Sequence, residues 1–268
     1  MKKIITLALA LVMCFGCIAM FASCGKTEGT LVCGVTPFEK MNEKDENGNW
    51  TGFESEFAME VGKIIGMDVQ FQEIEWTQKY NELNSGAIDC VWNGFTANYS
   101  DKIDGVDVKR SDLVDFSYGY MLNQQCVVVK KANLDSYKSE ADLAGKKACV
   151  EGGSAGASYA ATVGAAEVLN ATNQISAFPE LKSGAVDFLV VDIVLAQNVC
   201  GKGDYEDLAI VEAIELKSEI YAVGFKKGSD LTAKVNAAIK ELEENGKLME
   251  LAKKYGFENV VKVQETIE

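Results

Sequence analysis

A single arginine, Arg110, stands in the chain against twenty-five lysines. A guanidinium grips a carboxylate through two parallel hydrogen bonds, which the point charge of lysine cannot reproduce, so this residue is a candidate carboxylate clamp. A solvated arginine in the acidic loop before Val114-Asp115-Phe116-Ser117 would read the same way in sequence. Gly152-Gly153-Ser154-Ala155-Gly156 opens a small-residue segment predicted as a helix through Ala161. The free amides of such a start, at Ser154 and Ala155, favour an anion. Asp192 follows Val190-Val191 at the end of an apolar strand-like run, a position from which a carboxylate faces a cleft. It is also a candidate N-cap for a helix beginning at Ile193.

Catalytic and metal chemistry are poorly supplied. The chain has no histidine and no Cys-x-x-Cys pair, and Cys33, Cys90, Cys126, Cys149 and Cys200 are scattered through apolar runs. That spacing argues against zinc and for small buried hydrophobes rather than a disulfide framework. Asp45, Asn47, Asn49 and Glu56 mimic part of a calcium loop, but Trp50 stands where such a loop needs glycine. A hairpin turn through Asn47-Gly48 explains the same residues. No cofactor, metal or catalytic residue is expected.

The elements that must position these groups show a repeat. Leu83 to Val91 reads LNSGAIDCV and Leu181 to Leu189 reads LKSGAVDFL, five identities in nine positions. In each copy an amphipathic segment stops at Ser-Gly and a short apolar run suited to a buried parallel strand follows. Two such βα units imply two similar α/β lobes with a ligand-sized space between them. Helices are expected over 53–65, 76–85, 139–143, 179–183, 193–199, 231–244 and 247–255. Strands are expected at 31–35, 69–74, 88–92, 114–117, 126–129, 148–150, 186–191 and 220–225. Chain crossings near 124–130 and 220–225 would form paired hinge strands.

The ends and the charge say where such a body works. Lys2 and Lys3 precede an uncharged apolar run from Ile4 to Ala22, read as an export signal, with an uncut membrane anchor as the alternative. Phe21-Ala22-Ser23-Cys24-Gly25 is similar to a bacterial lipobox, with Phe21 where that motif usually has leucine, and implies lipidation at Cys24. Loss of residues 1–23 removes two lysines and no acid, taking the net charge from −14 to −16. Such a surface excludes nucleic acid and anionic lipid as partners.

The order and spacing of Thr51-Gly52-Phe53-Glu54, Leu83 to Asp89, Asn93-Gly94-Phe95-Thr96, Val114 to Ser117, Leu143-Ala144-Gly145-Lys146-Lys147, Gly153 to Gly156 and Val190-Val191-Asp192 carry a resemblance. From about residue 31 to 256 the chain resembles the amino-acid-binding proteins of ABC importers, an extracytoplasmic solute-binding family of periplasmic-binding-protein-like type II fold. The resemblance implies an α/β fold of two three-layer lobes with mixed, mostly parallel sheets joined by two hinge strands. The lobes would be 31–125 plus 222–268 and 126–221, after a signal peptide (1–23) and a lipidated tether (24–30). It implies a monomer held to the cell membrane only through lipid at Cys24, capturing a free amino acid and delivering it to an ABC permease. Arg110, helped by the Thr96 hydroxyl and the amides of Ser154 and Ala155, would take the α-carboxylate. Asp192 and the Gly94 carbonyl would take the α-ammonium, and Phe38 and Trp76 would sandwich the side chain.

This sequence departs from the family pattern in three places. The family keeps its threonine and arginine a few residues apart, whereas Thr96 and Arg110 are separated by a long loop; in another register the arginine position falls on Asp101. Ala155 replaces a usual Thr or Ser, and the aromatic-proline loop around Phe38 is shortened or shifted. The competing expectation is an exported enzyme of the same fold, such as a dehydratase acting on a small carboxylic acid. A third, the sensing domain of a signalling protein, would be fused to a transmembrane helix and an output domain.

Overall fold

A computed structural model describes residues 29–267. The signal-like run, the lipobox with Cys24 and most of the tether lie outside the described residues. The chain opens with β1 (Thr30–Val35), the hairpin strands β2 (Glu43–Lys44) and β3 (Trp50–Thr51), and helix α1 (Phe53–Ile65). The Asp45 carboxylate accepts the amides of Asn47 and Asn49 at 2.8 Å each, so the calcium-like residues form the turn of this hairpin. Helix α1 buries Phe53, Phe57, Ala58 and Val61, the stripe its periodicity predicts, and stops where Gly66 takes a left-handed φ of 71°.

Next come β4 (Asp68–Glu73), a 3-10 turn (Trp76–Gln78), α2 (Lys79–Ser85) and β5 (Cys90–Val91). A hairpin of β6 (Ser100–Ile103) and β7 (Val106–Lys109) then leads through α3 (Arg110–Leu113) into the long β8 (Val114–Lys130). The second α/β region holds β9 (Lys147–Glu151), α4 (Ala155–Thr162), β10 (Glu167–Ala171), α5 (Phe178–Ser183), β11 (Phe188–Asp192), α6 (Ile193–Val199) and β12 (Leu208–Ile210). The chain closes with β13 (Ser218–Lys226), α7 (Leu231–Glu244), α8 (Lys247–Tyr255) and β14 (Val261–Gln264).

The two copies of the repeated sequence build the same turn. Gly86 ends α2 and Gly184 ends α5, both left-handed, with φ of 78° and 84°. Ser85 and Ser183 each donate their hydroxyl to the carbonyl three residues back, at 3.0 and 2.9 Å. Asp89 then accepts the amide of Val32 at the start of β1, and Asp187 accepts that of Lys147 at the start of β9, both at 2.8 Å. Each aspartate thus pins a repeated strand to its parallel neighbour: β5 pairs with β1 and β11 with β9. Three of the five identities, Ser, Gly and Asp, are the residues that this shared pattern uses, and a fourth, Leu83 and Leu181, is buried in the core in both copies.

The main sheet runs β10-β9-β11-β8-β13-β5-β1-β4, with β12 and β14 also pairing with β8. Pairing is parallel among β9, β10 and β11 and between β1 and β5, and antiparallel wherever β8 or β13 takes part, which makes the sheet mixed. The segments 114–117 and 126–129, expected as separate strands, form one strand of 17 residues. Its first part pairs with β13 and its last part with β11, so β8 runs from one half of the sheet into the other. Rings of Trp92 and Tyr120 meet Phe57 edge-on at 5.2 and 5.4 Å in the first half, and Val127, Val150, Phe188 and Val190 form a core in the second. Burial of each such large side chain contributes about 1.5–3 kcal/mol.

Candidate functional site

The long loop between Thr96 and Arg110 is a β-hairpin. Ser100 pairs with Lys109 and Ile103 with Val106, around a two-residue turn at Asp104-Gly105 with φ of 50° and 81°. Two positive φ values in succession suit the right-handed twist of a hairpin. The chain leaves at Tyr99 and returns at Arg110, whose amide donates to the Tyr99 carbonyl at 2.9 Å. The hairpin therefore closes at its base so that Arg110 lies beside Thr96, and it brings Asp101 to the arginine as an ion-pair partner.

Arg110 is 1 % exposed. Its Nε donates to Asp101 at 2.9 Å and its Nη1 to the Thr96 carbonyl at 3.1 Å, while the rings of Phe95 and Tyr99 flank Cζ at 5.2 and 5.4 Å. Nη2 is buried without a partner. Burial opposes the charge, but Asp101 outweighs it and holds the guanidinium above its ordinary pKa. Burial likewise pushes Asp101 up, yet Arg110, Lys79 and the Tyr80 hydroxyl leave its carboxyl below the usual range. The Lys79 ammonium lies 3.8 Å from Asp101, donates to the Gly153 carbonyl at 3.1 Å and sits over the rings of Tyr80 and Trp76. Burial, then the charge of Arg110, lowers its pKa to about 8.

Gly94 brings a second group together. Its φ is +57°, and a Cβ there would come within 3.1 Å of both Phe38 and Tyr221, so the backbone is closely packed against two rings. The Gly94 amide donates to both oxygens of Glu54 at 2.9 and 3.0 Å, and the Tyr120 hydroxyl donates to the same carboxylate. Burial pushes Glu54 up to about 7. Phe38 is thus next to Gly94, whereas Trp76 stands edge-on to Phe95 at 5.3 Å, closer to Arg110 and Lys79. The Thr96 backbone bridges to Tyr221.

The other half contributes the ends of β9 and β11. The Ser154 hydroxyl caps α4 by accepting the Ala157 amide at 3.1 Å, and the Ser154 amide donates to the Glu151 carbonyl at 3.3 Å. Of the two amides expected to face an anion, that of Ser154 is therefore engaged within the turn. The Ala155 amide belongs to the first turn of α4, where intrahelical acceptors are lacking. Asp192 is the first residue before α6, but its side chain makes no capping bond. Its carboxylate accepts from Asn123 at 2.7 Å and from Gln125 and Gln174, and burial raises its pKa.

Sequence reasoning missed two further carboxylates here. Glu219, opposite Asn123 on β13, accepts from Asn123 at 2.7 Å and Gln125 at 3.1 Å, and burial, then Asp192, pushes it up to about 7. Glu151 accepts the Thr36 hydroxyl at 3.2 Å across the two halves, and burial, then Asp192, pushes it up to about 8. Their signal was a charged residue directly against an apolar strand run, Ala148-Cys149-Val150 in one case and Ile220 onward in the other. A cavity of about 790 Å³ adjoins this cluster, lined by Tyr99, Ser100, Gln125, Tyr159 and Glu219 among others. Among the described residues no group of three or more His, Cys, Asp or Glu side chains is placed to hold a metal ion. The arrangement instead offers a buried guanidinium with a free N–H group on one side and carboxylates on the other, which suits a small zwitterion.

Comparison with known proteins agrees with this fold. Residues 31–259 match the model of the bacterial extracellular solute-binding proteins, family 3. The L-cystine-binding protein TcyA of Bacillus subtilis is 32% identical over 241 residues, covering 88% of this chain and 85% of the relative. The arginine-binding extracellular protein ArtP of Bacillus subtilis is 28% identical over 262 residues, covering 95% and 98%. An ancestral arginine-binding protein solved with glutamine superposes with a TM-score of 0.76 at 33% identity, covering 87% of this chain and 100% of that one. The chain belongs to family 3 of the bacterial extracellular solute-binding proteins.

Proposed function

We propose that this protein captures a free α-amino acid between the two halves of its sheet and delivers it to an ABC importer permease. Residues 31–125 with 222–268 form one lobe and 126–221 the other, and β8 and β13 are the strands about which they close. The α-carboxylate meets the free Nη2 of Arg110, the Thr96 hydroxyl and the Ala155 amide; the α-ammonium meets Asp192 and the Gly94 carbonyl; Phe38 and Trp76 flank the side chain. The protein works as a monomer outside the cell membrane, held there by lipid at Cys24. The observation that carries this reading is Arg110 Nη2, a charged donor buried without a partner. Relatives named for binding cystine and arginine support an amino acid as the solute.

A thermal-shift panel of free amino acids tests the reading, with Arg110→Ala and Asp192→Ala alongside. One or a few amino acids should raise the unfolding temperature of the native protein and neither variant should respond. Silence across the panel, after refolding to strip carried-over ligand, would sink the assignment. Anchoring is tested separately by mass spectrometry of the exported protein, which should find a diacylglyceryl group on Cys24 and none after Cys24→Ala. Glu54, Glu151 and Glu219, with pKa values raised to about 7, 8 and 7, favour one second reading, an enzyme using one of them as a general acid on a small carboxylic acid. Turnover of the bound molecule, followed by NMR, would decide for that reading; recovery of the ligand unchanged decides for transport.

A further inference from the structure

Three buried carboxylates form a cluster, with Asp192 acting on both Glu151 and Glu219. Leu189 pairs with Cys149, so Val191 stands level with Glu151 and the side chains of Glu151 and Asp192 end neighbouring parallel strands. Glu219 lies on the other side, opposite Asn123. The three residues are 4 %, 4 % and 2 % exposed, yet none has an ion-pair partner among the described residues. Both buried cations nearby are turned to Asp101 instead, Arg110 at 2.9 Å and Lys79 at 3.8 Å. Neutral groups hold the three: Asn123, Gln125 and Gln174 donate to Asp192, the first two of these donate to Glu219, and Thr36 donates to Glu151.

Carboxyl groups removed from water are unfavourable in the charged form without an ion pair, and the cations that act on these from nearby, Arg110 and Lys79, are in direct contact with Asp101 instead. An independent observation points to the missing partner. The Asn123 amide group gives its N–H donors to Asp192 and Glu219, which fixes its orientation, and leaves Oδ1 buried without a donor. An acceptor stranded beside two carboxylates is suited to an ammonium group. An α-ammonium held by Asp192, Glu219 and Asn123 Oδ1 still leaves Glu151, a buried acid with no ion-pair partner among the described residues, without a cation of its own.

We propose that the amino acid bound here has a cationic side chain, whose positive group is received by Glu151 while Asp192, Glu219 and Asn123 Oδ1 surround the α-ammonium. This rests on the amino-acid reading above. Glu151 is the member of the cluster suited to the second role, since it lies against the Thr36 hydroxyl of the opposite half and stands three residues before the α4 cap Ser154. Lys79 does not fill that role itself, because its ammonium is engaged by Asp101 and the carbonyls of Trp76 and Gly153.

Isothermal titration calorimetry on the processed protein tests this with isosteric pairs, arginine against citrulline and lysine against 2-aminoheptanoic acid, plus cystine. The cationic member of each pair should bind at least ~10-fold tighter, equivalent to about 1.4 kcal/mol. Glu151→Gln should remove most of that ratio, while Glu219→Gln should weaken both members of a pair alike and leave the ratio standing. Equal binding of citrulline and arginine, binding of cystine without either cationic amino acid, or a ratio untouched by Glu151→Gln would overturn the inference and leave the amino-acid function in place. Absence of binding by every panel member overturns the function and this inference with it. Should Glu151→Gln fail to fold, the wild-type ratios decide.

Discussion

Replacing Asp101 by asparagine separates the structural role of Arg110 from its proposed ligand-binding role. Among the described residues Asp101 is the one carboxylate in contact with Arg110 and also the partner of Lys79, with side chains 13 %, 1 % and 3 % exposed respectively. Asparagine keeps the shape and leaves two buried cations without a counter-charge. Breaking a buried pair typically costs about 3–5 kcal/mol, and the slight exposure of Asp101 favours the lower end. For a body of this size about 3 kcal/mol corresponds to a fall in Tm of roughly 6–12 °C. The carboxyl is held below its ordinary pKa in the folded protein, so its contribution is present above the unfolded value of 3.8 and is lost as pH falls through the folded value. Differential scanning calorimetry of wild type and Asp101→Asn at neutral and acidic pH measures both effects. The gap between the two should be full at pH 7 and close below about pH 4. A saturating amino acid should restore part of the loss, because its carboxylate supplies the missing charge. An Asp101→Asn protein as stable as wild type at pH 7 would refute the pairing and with it the view that the hairpin at 100–109 serves Arg110.

The raised acids act in the opposite sense. Glu151 and Glu219, with folded pKa values of about 8 and 7 against 4.5 unfolded, keep protons that the unfolded chain releases, so unliganded stability should decline as pH rises from about 4.5 to about 8. The groups facing them are Asp192, Arg110 and, for Glu151, Lys79; Tm measured from pH 5 to 8 should flatten in a Glu151→Gln, Glu219→Gln double variant, and an unchanged slope would count against the assignment. Gly94→Ala should lower stability by about 1–3 kcal/mol, from a left-handed backbone and contacts near 3.1 Å with Phe38 and Tyr221, a loss that urea titration resolves. Tyr120→Phe removes a donor from buried Glu54 and should cost about 1–3 kcal/mol by the same assay, with no change expected if that hydrogen bond is absent.

The repeat is readable because three of its five identities build the shared turn: glycine for a left-handed helix stop, serine for the last turn, aspartate for the neighbouring strand. Arg110 was readable from its rarity, and α6, α7 and α8 from apolar spacing and the Asn245-Gly246 break. The hairpin at 100–109 was read as loop, although Asp104-Gly105 between alternating residues is a hairpin signal, because its strands bury little and show no apolar run. Strand β8 was split because Asn123, Gln124 and Gln125 interrupt its apolar pattern. Asn123 and Gln125 are there to hold Asp192 and Glu219, contacts between segments 67 to 96 residues apart in sequence. Glu151 and Glu219 went unnoticed for the same reason: a charge beside an apolar run marks a surface unless the partner strand is known.

The central claim is that one small molecule bridges Arg110 and Asp192 through its own carboxylate and ammonium. Calorimetric Kd values for a bound amino acid, its carboxamide and its N-acetyl derivative test this without altering the protein. Each block removes one charge-assisted contact, so both derivatives should bind at least ~100-fold more weakly, about 2.7 kcal/mol. A carboxamide or an N-acetyl derivative that binds as tightly as the free amino acid would contradict the account at the corresponding residue.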